Sequence, residues 1–175
     1  GIKSMLDNVL NGYNSTTLAY GMTGAGKTYT IFGNMVGNEN SNKDDSDRNE
    51  KGICFYAVDY LFQKVKESKE IKEAKIKISY LEIYNETVID LLSSNTSQIP
   101  KSLMIIEDIN KGVVVPDLVE YSVNSTNEMM KLINEGNKRR TMAATNQNQF
   151  SSRSHAIIQI TLDQKRRMKL ENMKQ

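Results

Sequence analysis

The chain has 175 residues, of which 38% are hydrophobic and 25% are charged, and its mean hydropathy is −0.52. This length allows one domain with a sizeable core, while a net charge of +2 is too small to indicate nucleic-acid binding. The single cysteine (Cys54) and single histidine (His155) exclude a disulfide framework or a Cys/His metal cluster, and no apolar run is long enough to span a membrane. We therefore expect a soluble, cytoplasmic protein.

The first elements predicted along the chain are a helix, a short strand and a second helix. Apolar residues at helical spacing predict a helix over residues 2–10, which Asn11 and Gly12 end. The β-prone run "STTLAY" (residues 15–20) predicts a strand, and "KTYTIFG" (residues 27–33) fits the first turns of a helix. A glycine-rich loop joins the two.

The middle of the chain combines a polar stretch with a helix and a hairpin. Residues 34–51 are almost all Asn, Asp, Glu, Ser and Lys, and they predict a flexible surface insertion. Apolar residues between Ile53 and Val65 recur at helical spacing and predict a helix. Two β-rich runs follow within residues 74–92, joined by a probable turn at Asn85 and Glu86.

The remaining elements are short strands, one helix and one longer strand. Residues 103–123 predict several strands, with turns at residues 110–112 and at Pro116. Ser125 and Glu128 form a capping box that starts a helix, and "AIIQITL" predicts a strand before a basic tail at residues 163–175. The alternation of strands and helices predicts an α/β sheet protein.

The glycine loop (residues 21–28) carries a phosphate-binding pattern: a glycine, four residues, then Gly-Lys-Thr. Glycines let the backbone amides point at one spot, and the positive end of the next helix favours an anion there. Lys27 would reach the β- and γ-phosphates of a nucleotide, and the Thr28 hydroxyl would bind Mg²⁺. The alternative is a glycine-rich turn that merely precedes a helix, but the strand–loop–helix context favours nucleotide binding. The residues of the loop are Gly21, Met22, Thr23, Gly24, Ala25, Gly26, Lys27 and Thr28.

A second polar cluster lies in "NQNQFSSRSH", directly before the last predicted strand. It contains Asn148, Ser151, Ser152, Arg153, Ser154 and His155. Hydroxyl, amide and guanidinium groups are suited to contact a γ-phosphate and its Mg²⁺ and to respond to their loss. An ordinary polar turn whose serines cap a neighbouring helix is the alternative.

Three stretches, "AYGMTGAGKTYTIFG", "SYLEIYNETVIDLL" and "NQNQFSSRSHAIIQI", resemble the kinesin motor domain in sequence and in order. The resemblance runs from Met5 to Leu162, and it implies an α/β P-loop NTPase fold with a central mixed β-sheet flanked by helices. It also implies an incomplete motor domain over residues 1–175 and a microtubule-stimulated ATPase that uses MgATP. Within kinesins, "GYNSTTLAYG" and "INKGVVVPDL" look most like the plus-end-directed subfamily that also shortens microtubules. Microtubules are the implied partner and the cytoplasmic cytoskeleton the implied location, with no nucleic acid or membrane.

The resemblance also implies roles for individual residues of the two segments. Tyr29 would pack on the adenine, while Met22 stands where the family usually has glutamine or alanine. Ser152 would join Thr28 on Mg²⁺, Asn148 and Ser151 would contact the γ-phosphate and the attacking water, and Arg153 would pair with a glutamate of the second switch. His155 would close the first switch, although a structural histidine is the simpler interpretation of that residue alone. The insertion at residues 34–51 would correspond to a variable loop of kinesins.

The second switch and the tubulin-binding helix of kinesins have no counterpart in this sequence. We therefore expect these 175 residues, expressed alone, to be poorly stable and to show little microtubule-stimulated ATPase activity. Two alternatives stay open: a myosin-like motor, which shares a similar loop and an Asn-x-x-Ser-Ser-Arg segment, and a non-catalytic nucleotide-binding module that docks to a partner. Ser154, His155 and "LEIYNE" favour kinesin over myosin.

Overall fold

The computed structural model of the protein describes residues 1–34, 51–94, 102–110, 112–145 and 154–167. These residues form four helices and seven strands, which we number in chain order. The elements are α1 (Ile2–Leu10), α2 (Lys27–Phe32), α3 (Ile53–Glu67), β1 (Ile71–Tyr84), β2 (Thr87–Asp90), β3 (Ser102–Leu103), β4 (Ile106–Asp108), β5 (Gly112–Val114), β6 (Tyr121–Val123), α4 (Thr126–Thr145) and β7 (Ser154–Arg166). Within these ranges, no helix is long and apolar enough to cross a lipid bilayer.

The main sheet is built around β1. Strand β7 pairs with β1 from end to end along one edge, while β2 and β6 share the other edge and β3 adds to β2. Strands β4 and β5 form a separate hairpin. The predicted central sheet with flanking helices is thus confirmed. Every pairing among the described residues is antiparallel, so the parallel pairs that a mixed sheet requires are not seen in them.

The predicted turn at Asn85 and Glu86 is confirmed, and it has a clear local cause. Both residues have positive φ (47° and 61°), which is the backbone of a two-residue hairpin whose twist matches that of the strands it joins. Tyr84 and Thr87 are paired directly across this turn. The turn therefore sets the register of β1 against β2.

The main core lies between the sheet and the helices. Alternate residues of β1 face the helices, and Ile78 and Tyr80 are fully buried there beside Met129 and Ile133 of α4. The capping box predicted at the start of α4 is present: the Ser125 hydroxyl accepts a hydrogen bond from the Glu128 amide at 3.2 Å, and the Glu128 carboxylate accepts one from the Asn124 amide at 2.7 Å.

The strand predicted at residues 15–20 is wrong, because these residues form no regular element. Leu18 and Tyr20 are 83% and 94% exposed, and the Ser15 hydroxyl instead donates to the Met5 carbonyl of α1 at 3.2 Å. A β-prone sequence becomes a strand only when another strand satisfies its backbone, and none of the described strands pairs with this one.

The predicted basic tail also begins later than expected, because β7 continues through Arg166. Two ion pairs to β1 support this extension: Lys77 with Asp163 and Glu73 with Lys165, both at 2.7 Å. Residues 168–175 lie outside the described residues. Of the predicted insertion, only Asn34 and Lys51 are described, and a backbone bridge pairs Lys51 with Gly33, the residue directly before the insertion.

Candidate functional site

The glycine loop turns sharply because three of its glycines have positive φ: Gly21 (152°), Gly24 (83°) and Gly26 (82°). Residues other than glycine seldom adopt this backbone. A Cβ at Gly21 would lie 3.2 Å from the Ala25 Cβ, whereas one at Gly24 or Gly26 would meet no atom within 4 Å. The loop therefore curls back on itself at its start and leaves open space beside its later glycines.

Lys27 begins α2, and its side chain folds back over the loop. Its Nζ donates hydrogen bonds to the carbonyl oxygens of Gly21 at 2.7 Å and Met22 at 2.8 Å. These contacts hold the positive charge of the ammonium against the first two residues of the turn. Carbonyl dipoles compensate that charge only in part, so an anion entering the loop would be a stronger partner for it.

The next two side chains point into solvent. Thr28 and Tyr29 are exposed, and Tyr29 retains 47% of its accessible surface. The Thr28 hydroxyl is accessible for metal binding beside Lys27, and the Tyr29 ring is accessible for stacking. Among the predicted residues of the loop, Gly21, Gly26 and Lys27 are half-buried and the others, from Met22 to Tyr29, are exposed.

The second predicted cluster lies largely outside the described residues. Asn148, Ser151, Ser152 and Arg153 belong to that part, so their positions relative to the loop stay predictions. The segment is bounded by the end of α4 at Thr145 and the start of β7 at Ser154. Ser154 is half-buried and paired with Tyr84, and the next residue, His155, is exposed.

Tyr80 connects the elements that carry the two segments. The ring centroid of Phe32, at the end of α2, lies 6.5 Å from the ring centroid of Tyr80. The Tyr80 hydroxyl donates a hydrogen bond of 2.7 Å to Asn137 of α4. Burial raises the pKa of Tyr80 to about 12, so the hydroxyl keeps its proton at neutral pH. A single core residue of β1 therefore contacts both the loop-bearing helix and α4.

Glu82 and Arg140, which the sequence analysis did not select, contact each other, and the arginine also contacts Ser154. Glu82 on β1 is buried, and its carboxylate accepts a hydrogen bond of 2.8 Å from Nε of Arg140 on α4. Nη2 of the same arginine donates to the Ser154 hydroxyl at 3.1 Å. A sequence signal for Glu82 existed: it follows Ile78 and Tyr80 at the two-residue spacing of a buried strand face, where a charge requires a partner.

Cys54 is poorly suited to nucleophilic chemistry at neutral pH. Burial raises the pKa of its thiol to about 11, and the thiolate is the reactive form of cysteine.

The sequence profile of the kinesin motor domain matches residues 1–175. The chain is 41% identical to kinesin-like protein 5 of Schizosaccharomyces pombe, in a match that covers 94% of the chain and 17% of that protein. It is also 41% identical to kinesin-like protein KIP3 of Saccharomyces cerevisiae, in a match that covers 91% of the chain and 18% of that protein. A solved structure of a fast kinesin superposes with a TM-score of 0.77 at 38% identity, covering 93% of the chain and 42% of that structure. The chain thus spans less than a fifth of the length of these curated relatives.

Proposed function

The chain belongs to the kinesin motor-domain family, and we propose that it binds MgATP in the glycine loop and contributes to a microtubule-stimulated ATPase motor. Kinesin motor domains bind nucleotide. The observation that carries the proposal for this chain is the position of Lys27, whose ammonium folds back onto a turn made by three positive-φ glycines.

The residues of the loop fit a triphosphate with its metal ion. Lys27 would exchange its hydrogen bonds to two carbonyl oxygens for bonds to phosphate oxygens, and the open space beside Gly24 and Gly26 would admit the phosphates. The exposed Thr28 hydroxyl would bind the magnesium, and Tyr29 would pack on the adenine. Magnesium, when bound, neutralises charge on the phosphate oxygens.

The polar segment before β7 would supply the remaining contacts. In this proposal Asn148 and Ser151 meet the γ-phosphate and the attacking water, Ser152 shares the magnesium with Thr28, and Arg153 pairs with a glutamate when the site closes. The argument for one shared site is that Tyr80 contacts both α2 and α4, the helices that carry the loop and lead into this segment.

At the level of the whole protein, we propose microtubule-based movement or microtubule-end shortening in the cytoplasmic cytoskeleton. Microtubules are the proposed partner. The degree of identity does not select a subfamily, since a kinesin heavy chain of Gibberella moniliformis is also 41% identical. The proposal of a plus-end-directed, microtubule-shortening kinesin rests on "GYNSTTLAYG" and "INKGVVVPDL" alone.

Replacing Lys27 tests the nucleotide site. Lys27→Ala removes a charge-assisted contact with phosphate, which is worth about 3 kcal/mol, so MgATP affinity should fall about 100-fold. A titration with fluorescent ATP measures this change, and Lys131→Ala, which removes an exposed lysine of α4, is the matched control. Equal affinities for Lys27→Ala and the parent protein would contradict the proposed site.

Turnover of ATP by the full-length protein, with and without microtubules, tests the motor activity. Stimulation by microtubules supports the motor, because it requires nucleotide chemistry coupled to a filament. Tight ATP binding without turnover would instead support the non-catalytic nucleotide-binding module.

A further inference from the structure

Glu82 places a carboxylate inside the core of the protein. Its side chain is only 1% exposed, and it lies on the same face of β1 as the fully buried Ile78 and Tyr80. Burying a carboxylate is costly unless a positive partner and hydrogen bonds compensate for the lost water. The burial of the Glu82 carboxylate therefore depends on the positive group that it binds.

That group is the guanidinium of Arg140, which has a second partner. Nε donates to Glu82 at 2.8 Å and Nη2 donates to the Ser154 hydroxyl at 3.1 Å. A guanidinium is planar and rigid, so fixing Nε on a buried carboxylate also fixes the direction in which Nη2 points. The set of Glu82, Arg140 and Ser154, here called the arginine bridge, joins β1, α4 and the first residue of β7.

We propose that Arg140 is a positioning residue for ATP hydrolysis. Glu82 orients Arg140, and Arg140 fixes Ser154, the residue that directly follows Arg153 and lies two positions after Ser152. The arginine bridge thereby sets where the polar segment joins the sheet, without touching nucleotide itself. This inference rests on the proposed function of that segment.

The kinetic consequence follows from the sensitivity of catalysis to position. A displacement of about 1 Å at reacting groups can reduce a rate about 100-fold, whereas phosphate binding by the glycine loop depends on Lys27 and its own backbone. Loss of the arginine bridge should therefore lower kcat much more than it weakens MgATP binding, because the glycine loop keeps its own phosphate contacts. A residue that only stabilised the fold would not separate these two quantities.

Two conservative variants of the full-length protein test the bridge. Ser154→Ala removes one hydroxyl from a half-buried position, and Arg140→Lys keeps a positive partner for Glu82 but loses the planar fork. Each should lower kcat about tenfold, with the affinity for fluorescent ATP within about twofold of the parent. The control is Arg139→Lys, because Arg139 donates to the carbonyls of Leu91 and Ser93 instead.

The double variant adds a test of the connection between the two residues. If Arg140 acts through Ser154, Arg140→Lys combined with Ser154→Ala should lower kcat no further than the stronger single variant. Additive losses in the double variant, or a kcat equal to the parent value in either single variant, would overturn the inference.

Hydrogen exchange of the nucleotide-free protein separates this inference from the proposed function. Amides at the start of β7 should exchange faster in Ser154→Ala than in the parent, and this measurement requires no ATP. Unchanged exchange there overturns the arginine bridge even if the protein is an active motor. Absence of ATP binding in the parent protein overturns the proposed function and with it the kinetic role of the bridge.

Discussion

Replacing Gly136 with alanine should destabilise the protein, although alanine is the better helix former. A Cβ at Gly136 would lie 2.4 Å from Cδ1 and 2.7 Å from Cε1 of Tyr80, where carbon atoms normally approach to about 3.5–4.0 Å. The ring cannot turn aside, because Tyr80 is fully buried, as are Met129 and Ile133 in the same core. Helix α4 would have to move away from β1 by about 1 Å.

The net cost follows from two opposing terms. Overpacking at a site this rigid destabilises the protein by about 3 kcal/mol, and the higher helix propensity of alanine stabilises it by about 1 kcal/mol. The net loss of stability is about 2 kcal/mol. In urea, where an m value of about 2 kcal/mol/M is typical, this loss corresponds to a midpoint lowered by about 1 M. Glu135→Ala on the exposed side of the same helix is the control, with an expected change within about 0.5 kcal/mol.

A double-mutant cycle identifies the ring as the cause. Tyr80→Val removes the two clashing ring atoms, so Gly136→Ala introduced into that variant should be neutral or stabilising. Equilibrium unfolding followed by circular dichroism gives all four free energies. The reasoning is refuted if Gly136→Ala is as stable as the parent protein, or if it costs the same in both backgrounds.

Three further predictions concern single side chains. Thr28→Ala should weaken the dependence of ATP affinity on Mg²⁺, measured by titrations with magnesium and with a chelator. If the ratio of these two affinities were the same as in the parent protein, that would count against Thr28 as a magnesium ligand. Cys54, with its pKa raised to about 11 by burial, should react slowly with iodoacetamide at pH 8 until urea unfolds the protein. If Cys54 of the native protein reacted as fast as a free thiol, this prediction would be wrong. Tyr80 has a folded-state pKa of about 12 against an ordinary value of 10.0, so its contribution to stability should be complete below pH 10 and lost as the pH rises towards 12. Between pH 10 and pH 12 the unfolding midpoint of Tyr80→Phe should fall less than that of the parent protein. Parallel curves would contradict the raised pKa of Tyr80.

Features that depend on neighbouring residues were predictable from the sequence. The turn at Asn85 and Glu86 and the Ser125–Glu128 cap involve residues at most a few positions apart, and both predictions are confirmed. The same holds for the glycine loop, whose turn comes from the backbone freedom of glycine and whose lysine directly follows it. The strand predicted at residues 15–20 failed for the opposite reason, because a strand depends on a partner elsewhere in the chain.

The sequence by itself determined the glycine turn with its lysine, the starts of the helices and the kinesin resemblance, since each depends on a short contiguous pattern. Only the tertiary structure decided which distant residues meet. Glu82 and Arg140 are 58 positions apart, and Tyr80 and Asn137 are 57 apart, so no local pattern could pair them. Their contacts arise because α4 packs on β1 closely enough for a glycine to be needed at position 136, which brings a buried carboxylate within reach of an arginine.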